Sequence, residues 1–141
     1  MTSKHTILYA EDDEDDLFMV REAFEQHDHI EVVHAPNGLE ALHTLHTMQA
    51  NGFLPCLVIL DINMPVMDGK ETLIKVRSNE RIKKVPIVLF STSNSAVDRS
   101  FAEKWEVELI TKPLNYEDLE GIARQFVDRC NFEINKLKEL K

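Results

Sequence analysis

Five short apolar runs rich in β-branched residues alternate along this chain with stretches in which apolar residues recur at helical spacing. Such an alternation predicts repeated βα units and a parallel sheet. The apolar runs cover residues 7–10, 30–34, 56–60, 87–90 and 107–110. Because the third and fourth runs do not alternate with polar residues, we expect helices on both faces of the sheet. The sequence therefore predicts an α/β fold with a doubly wound, flavodoxin-like (βα)5 sheet of strand order 2-1-3-4-5.

The last predicted helix is unusually long. From Leu119 an apolar series continues at helical spacing to Leu137, so the helix could extend to the C-terminus. We therefore expect a main domain over residues 5–128 and a helical extension over residues 129–141. The apolar residues of that extension predict self-association as a homodimer. They are Ile134, Leu137 and Leu140. Truncation after Val127 should then favour the monomer.

Composition excludes several classes of protein. A chain of 141 residues has room for one folded domain, and its net charge of −9 argues against a nucleic-acid surface. No apolar stretch approaches the ~20 residues that a membrane span requires. The two cysteines, Cys56 and Cys130, are not a spaced pair, and Cys56 reads as an inert buried residue. These features predict a reducing compartment and a cytoplasmic protein.

Charged side chains follow three of the predicted strands. Asp61 ends the third run, Glu11 and Asp12 follow the first, and Lys112 follows the fifth. In a doubly wound sheet ligands bind beyond the carboxyl ends of the strands. Neighbouring strands lie ~4.8 Å apart, so Asp12 and Asp61 can share one cation, and the long side chain of Lys112 can approach Asp61. We therefore expect one charged site at this edge of the sheet.

The chemistry of that site favours Mg²⁺ and a phosphoryl group. Crowded carboxylates require a compensating cation, and oxygen ligands without a nearby His or Cys suit Mg²⁺ rather than zinc. Asp61 is the candidate nucleophile for phosphoryl transfer, while Lys112 and the Ser91 hydroxyl can contact phosphoryl oxygens. The simpler alternative is that Asp61 only caps the turn after its strand. Asp13 is predicted to cap the first helix, and Asp16 to lie in its solvated first turn.

The same residues carry a resemblance to a known family. The motifs Glu11-Asp12, Asp61 with Asn63-Met64-Pro65, Met67-Asp68-Gly69, Ser91 and Lys112-Pro113 resemble those of the response regulator receiver domain. The resemblance covers roughly residues 5–128, and the whole set in this order is far more specific than any one motif.

The resemblance implies a role for each matching residue. Asp61 would be the phosphoacceptor, and Asp12, Asp61 and the backbone carbonyl of Asn63 would bind Mg²⁺, with Glu11 acting through a metal-bound water. Ser91 would move toward the phosphoryl group. The peptide bond between Lys112 and Pro113 would be cis, a minority state that needs a structural reason. Leu109 departs from the pattern, because many receivers carry a switching aromatic at that position.

The function that follows is that of a stand-alone two-component response regulator. A sensor histidine kinase or a phosphotransfer protein would phosphorylate Asp61, and a downstream protein would read the result by direct contact. Such a protein assists its own phosphorylation and dephosphorylation but is not an enzyme in the ordinary sense. One alternative is a haloacid-dehalogenase-like phosphohydrolase with an aspartyl-phosphate intermediate, although that class needs a second acid where Asn63 stands. Another alternative is a degenerate receiver that binds partners without phosphorylation.

Overall fold

The structure is a computed structural model that describes residues 4–139, with side chains up to residue 136. Five strands alternate with five helices, as predicted. In chain order the elements are β1 (His5–Ala10), α1 (Glu14–Phe24), β2 (Ile30–Ala35), α2 (Gly38–Ala50), β3 (Leu57–Leu60), α3 (Gly69–Arg77), β4 (Ile87–Ser91), α4 (Ala96–Lys104), β5 (Glu108–Thr111) and α5 (Tyr116–Glu139).

The strands form one parallel sheet in the order β2-β1-β3-β4-β5. This confirms the predicted flavodoxin-like topology, in which β1 and β3 are neighbours. Ala10, the last residue of β1, pairs with Leu60, the last residue of β3. The residues that follow these two strands therefore leave the sheet side by side.

The sheet divides the core into two layers. On one face, β1 and β3 contribute Leu8, Ala10, Val58 and Leu60 to a cluster that includes residues of α2 and α3. The opposite face packs against α1 and α5. Its buried strand residues are Ile7, Tyr9, Ile30, Leu57, Ile59, Val88, Phe90 and Ile110. Because successive strand residues point to opposite faces, a nearly continuous apolar run fills both layers. All four residues of β3 are buried.

Side-chain caps fix where the helices that border the site begin. The carboxylate of Asp13 accepts hydrogen bonds from the backbone N–H groups of Asp15 and Asp16, which confirms its prediction as the cap of α1. The Asp68 carboxylate accepts from the N–H of Glu71 at the start of α3. These caps satisfy donors that have no partner within the helix.

The last helix is long, as predicted. It comprises 24 residues, Tyr116–Glu139, and continues without interruption past residue 128. Its first half packs on the sheet through Leu119, Ala123 and Phe126, which are buried, whereas Phe132 is 66% exposed. The side chain of Leu137 and all of Leu140, on which the prediction of self-association partly depends, lie outside the part that the structure describes.

The two cysteines are paired, so the interpretation of Cys56 as an inert residue that does not pair with Cys130 was wrong. Cys56, immediately before β3, and Cys130, in α5, form a disulfide with a Cα–Cα distance of 4.9 Å. Their separation of 74 residues conceals the pairing in the sequence. Packing of α5 across the start of β3 brings the two sulfurs together, and no local spacing pattern encodes that contact.

Within residues 4–139, each helix is too short or too polar to cross a bilayer.

Candidate functional site

Three carboxylates meet at the carboxyl edge of the sheet. Glu11 and Asp12 follow β1, and Asp61 follows β3. One carboxylate oxygen of each residue can serve as a metal ligand, and these three oxygens lie within 4.8 Å of one another. The backbone holds them there, because the N–H of Asp61 donates to the carbonyl of Ala10 at 3.1 Å. Glu11 and Asp61 are buried, whereas Asp12 is exposed at the mouth of the site.

Lys112 supplies the countercharge. Its Nζ lies 2.5 Å from Glu11 Oε1, 3.0 Å from Asp16 Oδ2 and 3.2 Å from Asp61 Oδ2. The backbone N–H of Lys112 donates to the carbonyl of Ser91 at 2.8 Å, which fixes the chain just beyond β5. The side chain then crosses from β5 to β3 and β1, as its length predicts.

Burial and charge together shift the protonation of this cluster. Desolvation raises the pKa of Glu11 to about 7, and its hydrogen bond with Asp61 adds to the rise, while Lys112 and Tyr9 oppose it. Desolvation lowers the pKa of Lys112, but the carboxylates of Glu11 and Asp61 outweigh that effect and raise it above its ordinary value. Lys112 is therefore charged at neutral pH, and Glu11 is poised to release a proton.

The raised pKa of Glu11 predicts a specific pH dependence of stability in metal-free buffer. Its ordinary pKa of 4.5, which applies to the unfolded chain, rises to about 7 on folding. The folded state therefore binds this proton more tightly, and the stability that Glu11 contributes is complete below pH 4.5 and lost as pH rises toward 7. In a chelating buffer, we expect the urea midpoint of the wild type minus that of Glu11→Gln to decrease as the pH is raised from 5 to 7. A difference that stays constant or rises over this range would contradict the assignment.

Two residues of the site were not predicted from the sequence. The Tyr9 hydroxyl donates to Glu11 Oε1 at 2.7 Å, inside the core. Asp16, which we had placed in a solvated first turn, contacts Lys112 instead. The two-residue period of a strand could have indicated Tyr9, because it lies two residues before Glu11 and so points to the same side of the chain. The role of Asp16 depends on the angle at which α1 leaves the site, for which the sequence carries no signal.

The expectation of a cis peptide bond before Pro113 was wrong. The bond is trans, as are all other peptide bonds of the described chain. Trans is the lower-energy form of the bond, and the observed contacts do not require the other isomer. The flexible side chain of Lys112 reaches Asp61 from a trans backbone.

Ser91 ends β4, the strand beside β3, and Asn63 follows Asp61 by two residues. Ser91 is the last residue of β4 and is fully buried, and its hydroxyl accepts a hydrogen bond from the N–H of Ser93 at 3.1 Å. Asn63 is exposed two residues after Asp61, and its N–H donates to Asp61 Oδ1 at 3.3 Å. This short link holds one carboxylate oxygen of Asp61 toward the loop that follows β3.

The loop after β4 is tied to its neighbours by polar contacts. The Ser93 hydroxyl donates to Asp98 Oδ2 at 2.7 Å, and Lys70 of α3 pairs with Asp98 Oδ1 at 2.5 Å. These two contacts lower the pKa of Asp98. The segment that begins at Ser91 is thereby connected to both α3 and α4.

The loop after β3 is tightly folded. The N–H of Met67 donates to the carbonyl of Pro65 at 2.7 Å across a γ-turn, in which Val66 has a φ of 68°. Gly69, the first residue of α3, packs directly on the site: a Cβ at this position would lie 2.2 Å from the backbone oxygen of Asp61. Only glycine allows α3 to begin this close to the strand exit.

The donor set fits a hard cation. Carboxylate oxygens on two adjacent strand exits are the ligands that Mg²⁺ prefers. Among the described residues, Glu11 Oε2 is the buried side-chain polar atom without a hydrogen-bond partner. Buried polar atoms normally find one, so an unpartnered oxygen beside two further acids matches a site that a cation completes.

These observations define the class of protein. The sequence model of the response regulator receiver domain family matches residues 7–124, and the chain belongs to that family. Receiver domains are two-component signalling modules rather than classical enzymes. As a class they accept a phosphoryl group from histidine kinases or phosphotransfer proteins and bind Mg²⁺ in an acidic pocket.

Individual relatives are similar over most of their length. The chain is 33% identical over 123 residues to a probable methanogenesis regulatory protein, FilR2, of Methanothrix harundinacea, covering 84% of this chain and 79% of that protein. It is 32% identical over 118 residues to response regulator Rcp1 of Synechocystis, covering 80% of each.

Solved structures agree with this assignment. The phosphorylated cyanobacterial phytochrome response regulator RcpA superimposes with a TM-score of 0.79 at 31% identity, covering 88% of this chain and 91% of that one. The Mn²⁺-bound form of Rcp1 superimposes with a TM-score of 0.76 at 29% identity, with coverages of 86% and 90%. The alternative of a haloacid-dehalogenase-like phosphohydrolase is not supported by these matches.

Proposed function

We propose that this chain acts as a response regulator that accepts a phosphoryl group on Asp61 and signals by protein contact. The observation that carries the proposal is the contact of Lys112 Nζ with Asp61 Oδ2, at 3.2 Å, inside a cluster of three carboxylates. A carboxylate beside a fixed cation at a strand exit is suited to receive a phosphoryl group, because charge on the transferred oxygens is neutralised in place. The downstream partner is proposed to be a protein.

Each side chain has a proposed role. Asp61 is the nucleophile: one carboxylate oxygen forms the new bond to phosphorus as the bond from phosphorus to the donor breaks, which releases the histidine of a protein donor or acetate from acetyl phosphate. Lys112 stabilises a phosphoryl oxygen as a point charge, and the Ser91 hydroxyl donates a hydrogen bond to another. Glu11, Asp12, Asp61 and the Asn63 carbonyl would hold Mg²⁺, which supplies further charge neutralisation when bound. In this way the domain assists its own phosphorylation and dephosphorylation.

Phosphorylation of Asp61 is tested directly by intact mass. Incubation of the full chain with Mg²⁺ and acetyl phosphate should add one phosphoryl group to the wild type and none to Asp61→Asn, because the amide is not a nucleophile of this kind. A chelator should abolish labelling of the wild type. Asp68→Asn, a change at the exposed cap of α3, is the matched control and should be labelled like the wild type.

The outcomes separate the candidate functions. Equal labelling of wild type and Asp61→Asn would exclude Asp61 as the acceptor. Absence of labelling in the wild type, with acetyl phosphate and with a histidine phosphotransfer protein as donors, would favour a receiver that works without phosphorylation.

The proposal includes the compartment and the domain limits. We propose that the protein acts in the cytoplasm, where a sensor histidine kinase or a phosphotransfer protein presents its phosphoryl group. The receiver is proposed to cover residues 5–128, and residues 129–141 to be an extension of α5.

Self-association through the extension remains a prediction. Phe132 is 66% exposed on α5, and an exposed aromatic side chain is a suitable contact for a second copy. Truncation after Val127 would also remove the buried Cys130, so Phe132→Glu is the cleaner test. We expect this change to shift the wild-type dimer toward monomer in sedimentation velocity, whereas Phe18→Glu, at an equally exposed position on α1, should not. A wild type that stays monomeric up to millimolar concentration would exclude the dimer.

A further inference from the structure

The disulfide lies at the end of the sheet opposite the acidic site. Cys56 immediately precedes β3, five residues before Asp61, and its N–H donates to the carbonyl of Thr6 at 2.9 Å. Cys130 lies in α5 and belongs to the core layer that packs against α1 and α5. The bond therefore joins the central strand of the sheet to the last helix.

The two sulfurs differ in accessibility. Cys130 is fully buried, whereas Cys56 is half-buried and lines a cavity of about 570 Å³. The walls of this cavity are mainly apolar, and His5, Lys84 and Glu133 add polar groups. A small molecule in the cavity can approach Cys56 but not Cys130.

We propose that Cys56 and Cys130 form a reversible redox site, with Cys56 as the entry point for a small disulfide such as glutathione disulfide and Cys130 as the resolving cysteine. Disulfides in reducing compartments are usually transient and regulatory. The inference takes only the compartment from the proposed function, and its chemistry does not depend on phosphorylation of Asp61. The cavity provides the access that thiol–disulfide exchange requires.

The exchange is balanced in two steps. The Cys56 thiolate attacks one sulfur of glutathione disulfide, forming a mixed disulfide and releasing one glutathione thiolate, which takes up a proton. The Cys130 thiolate then attacks the sulfur of Cys56, forming the intramolecular bond and releasing the second glutathione. Two protein thiols are oxidised, and one glutathione disulfide is reduced to two glutathione molecules. Excess glutathione reverses both steps.

The structural consequence concerns the second half of α5. Cys130 is the last fully buried residue of this helix within the described side chains, and the turns beyond it have half-buried or exposed side chains. Oxidation links that boundary covalently to the start of β3, and reduction leaves it held by noncovalent contacts, among them apolar packing and the ion pair of Arg129 with Glu108. The link also closes a long loop, which restricts the unfolded chain and should raise the melting temperature by about 10 °C.

The test uses the full chain, reduced and then equilibrated in glutathione buffers of increasing oxidised fraction. After acid quench and alkylation with N-ethylmaleimide under denaturing conditions, intact mass should change from two alkyl groups to none, and excess glutathione should restore both. In the double variant Cys56→Ser/Cys130→Ser, the melting temperature should not respond to reductant.

Single variants test the order of the steps. Cys130→Ser should accumulate one glutathione adduct on Cys56, because no resolving thiol remains. Cys56→Ser should stay unmodified in the native state, because Cys130 is fully buried. Faster modification of Cys130 than of Cys56 would reverse the proposed order and overturn the entry point.

Two results would overturn the redox site itself. The first is a native chain that keeps both thiols after equilibration with glutathione disulfide. The second is a disulfide that excess glutathione does not reduce without unfolding, since that bond would be a permanent cross-link. Either result leaves the phosphorylation assay with Asp61→Asn unaffected, so failure of this inference is distinguishable from failure of the proposed function.

Discussion

Replacing Lys112 with methionine should slow phosphorylation of Asp61 by acetyl phosphate by about 100-fold, the usual effect of removing one group that stabilises transferred charge. The lysine ammonium contacts Glu11, Asp16 and Asp61 at once, so its loss removes the positive charge that these acids share. Methionine keeps the approximate length and the apolar stem of lysine. The rate of phosphoryl addition, followed by intact mass at saturating Mg²⁺, measures the effect.

A second readout distinguishes this change from misfolding. Without Lys112, the acidic cluster keeps its negative charge but loses its internal cation, so Mg²⁺ should bind about tenfold more tightly by calorimetry. Tighter metal binding combined with slower labelling is not expected of a damaged fold. Lys75→Met, at an exposed position on α3, should leave both quantities unchanged. Normal labelling of Lys112→Met would show that the ion pairs are structural only.

The second large effect is expected at Gly69. Gly69→Ala should destabilise the fold by about 3 kcal/mol, because the added Cβ would meet the backbone oxygen of Asp61 at 2.2 Å and its carbonyl carbon at 2.9 Å. Neither atom is the end of a flexible side chain, so α3 or the strand exit must shift. We expect the urea midpoint to fall and, because Asp61 itself is displaced, the labelling rate to fall with it.

Gly121 provides the matched control. It lies in α5, and a Cβ there would meet no atom within 4 Å. Gly121→Ala should therefore stabilise the chain by about 1 kcal/mol through helix propensity, with no change in labelling. If Gly69→Ala proved as harmless as Gly121→Ala, the close approach of α3 to Asp61 would not exist in solution.

The fold was predictable because its determinants are local and periodic. Each buried strand is a short apolar run, and Asp13, at the start of α1, caps its helix as expected. The strand order was taken from the flavodoxin-like arrangement, one of the two common orders of doubly wound sheets. The meeting of Glu11, Asp12 and Asp61 then required only that β1 and β3 be neighbours.

The remaining features depend on side-chain directions and on contacts between distant parts of the chain. The contact of Asp16 with Lys112 requires the angle of α1, and the pairing of Cys56 with Cys130 requires α5 to cross the start of β3. The bond before Pro113 is trans, although the family resemblance implied cis. That expectation was wrong because it came from the resemblance and not from any contact predicted for this chain.

The position of β3 determines where a signal can appear. The strand is central in the sheet, all four of its residues are buried, and β1 and β4 flank it on both sides. A phosphoryl group on Asp61, as proposed, would therefore be attached at the end of a buried strand that is paired on both sides. We expect the loop after β4 to respond, because the polar contacts that connect it, such as those of Ser93 and Lys70 with Asp98, can rearrange. The sheet would then provide a fixed reference, and we expect the proposed phosphorylation of Asp61 to change the position of that loop relative to it.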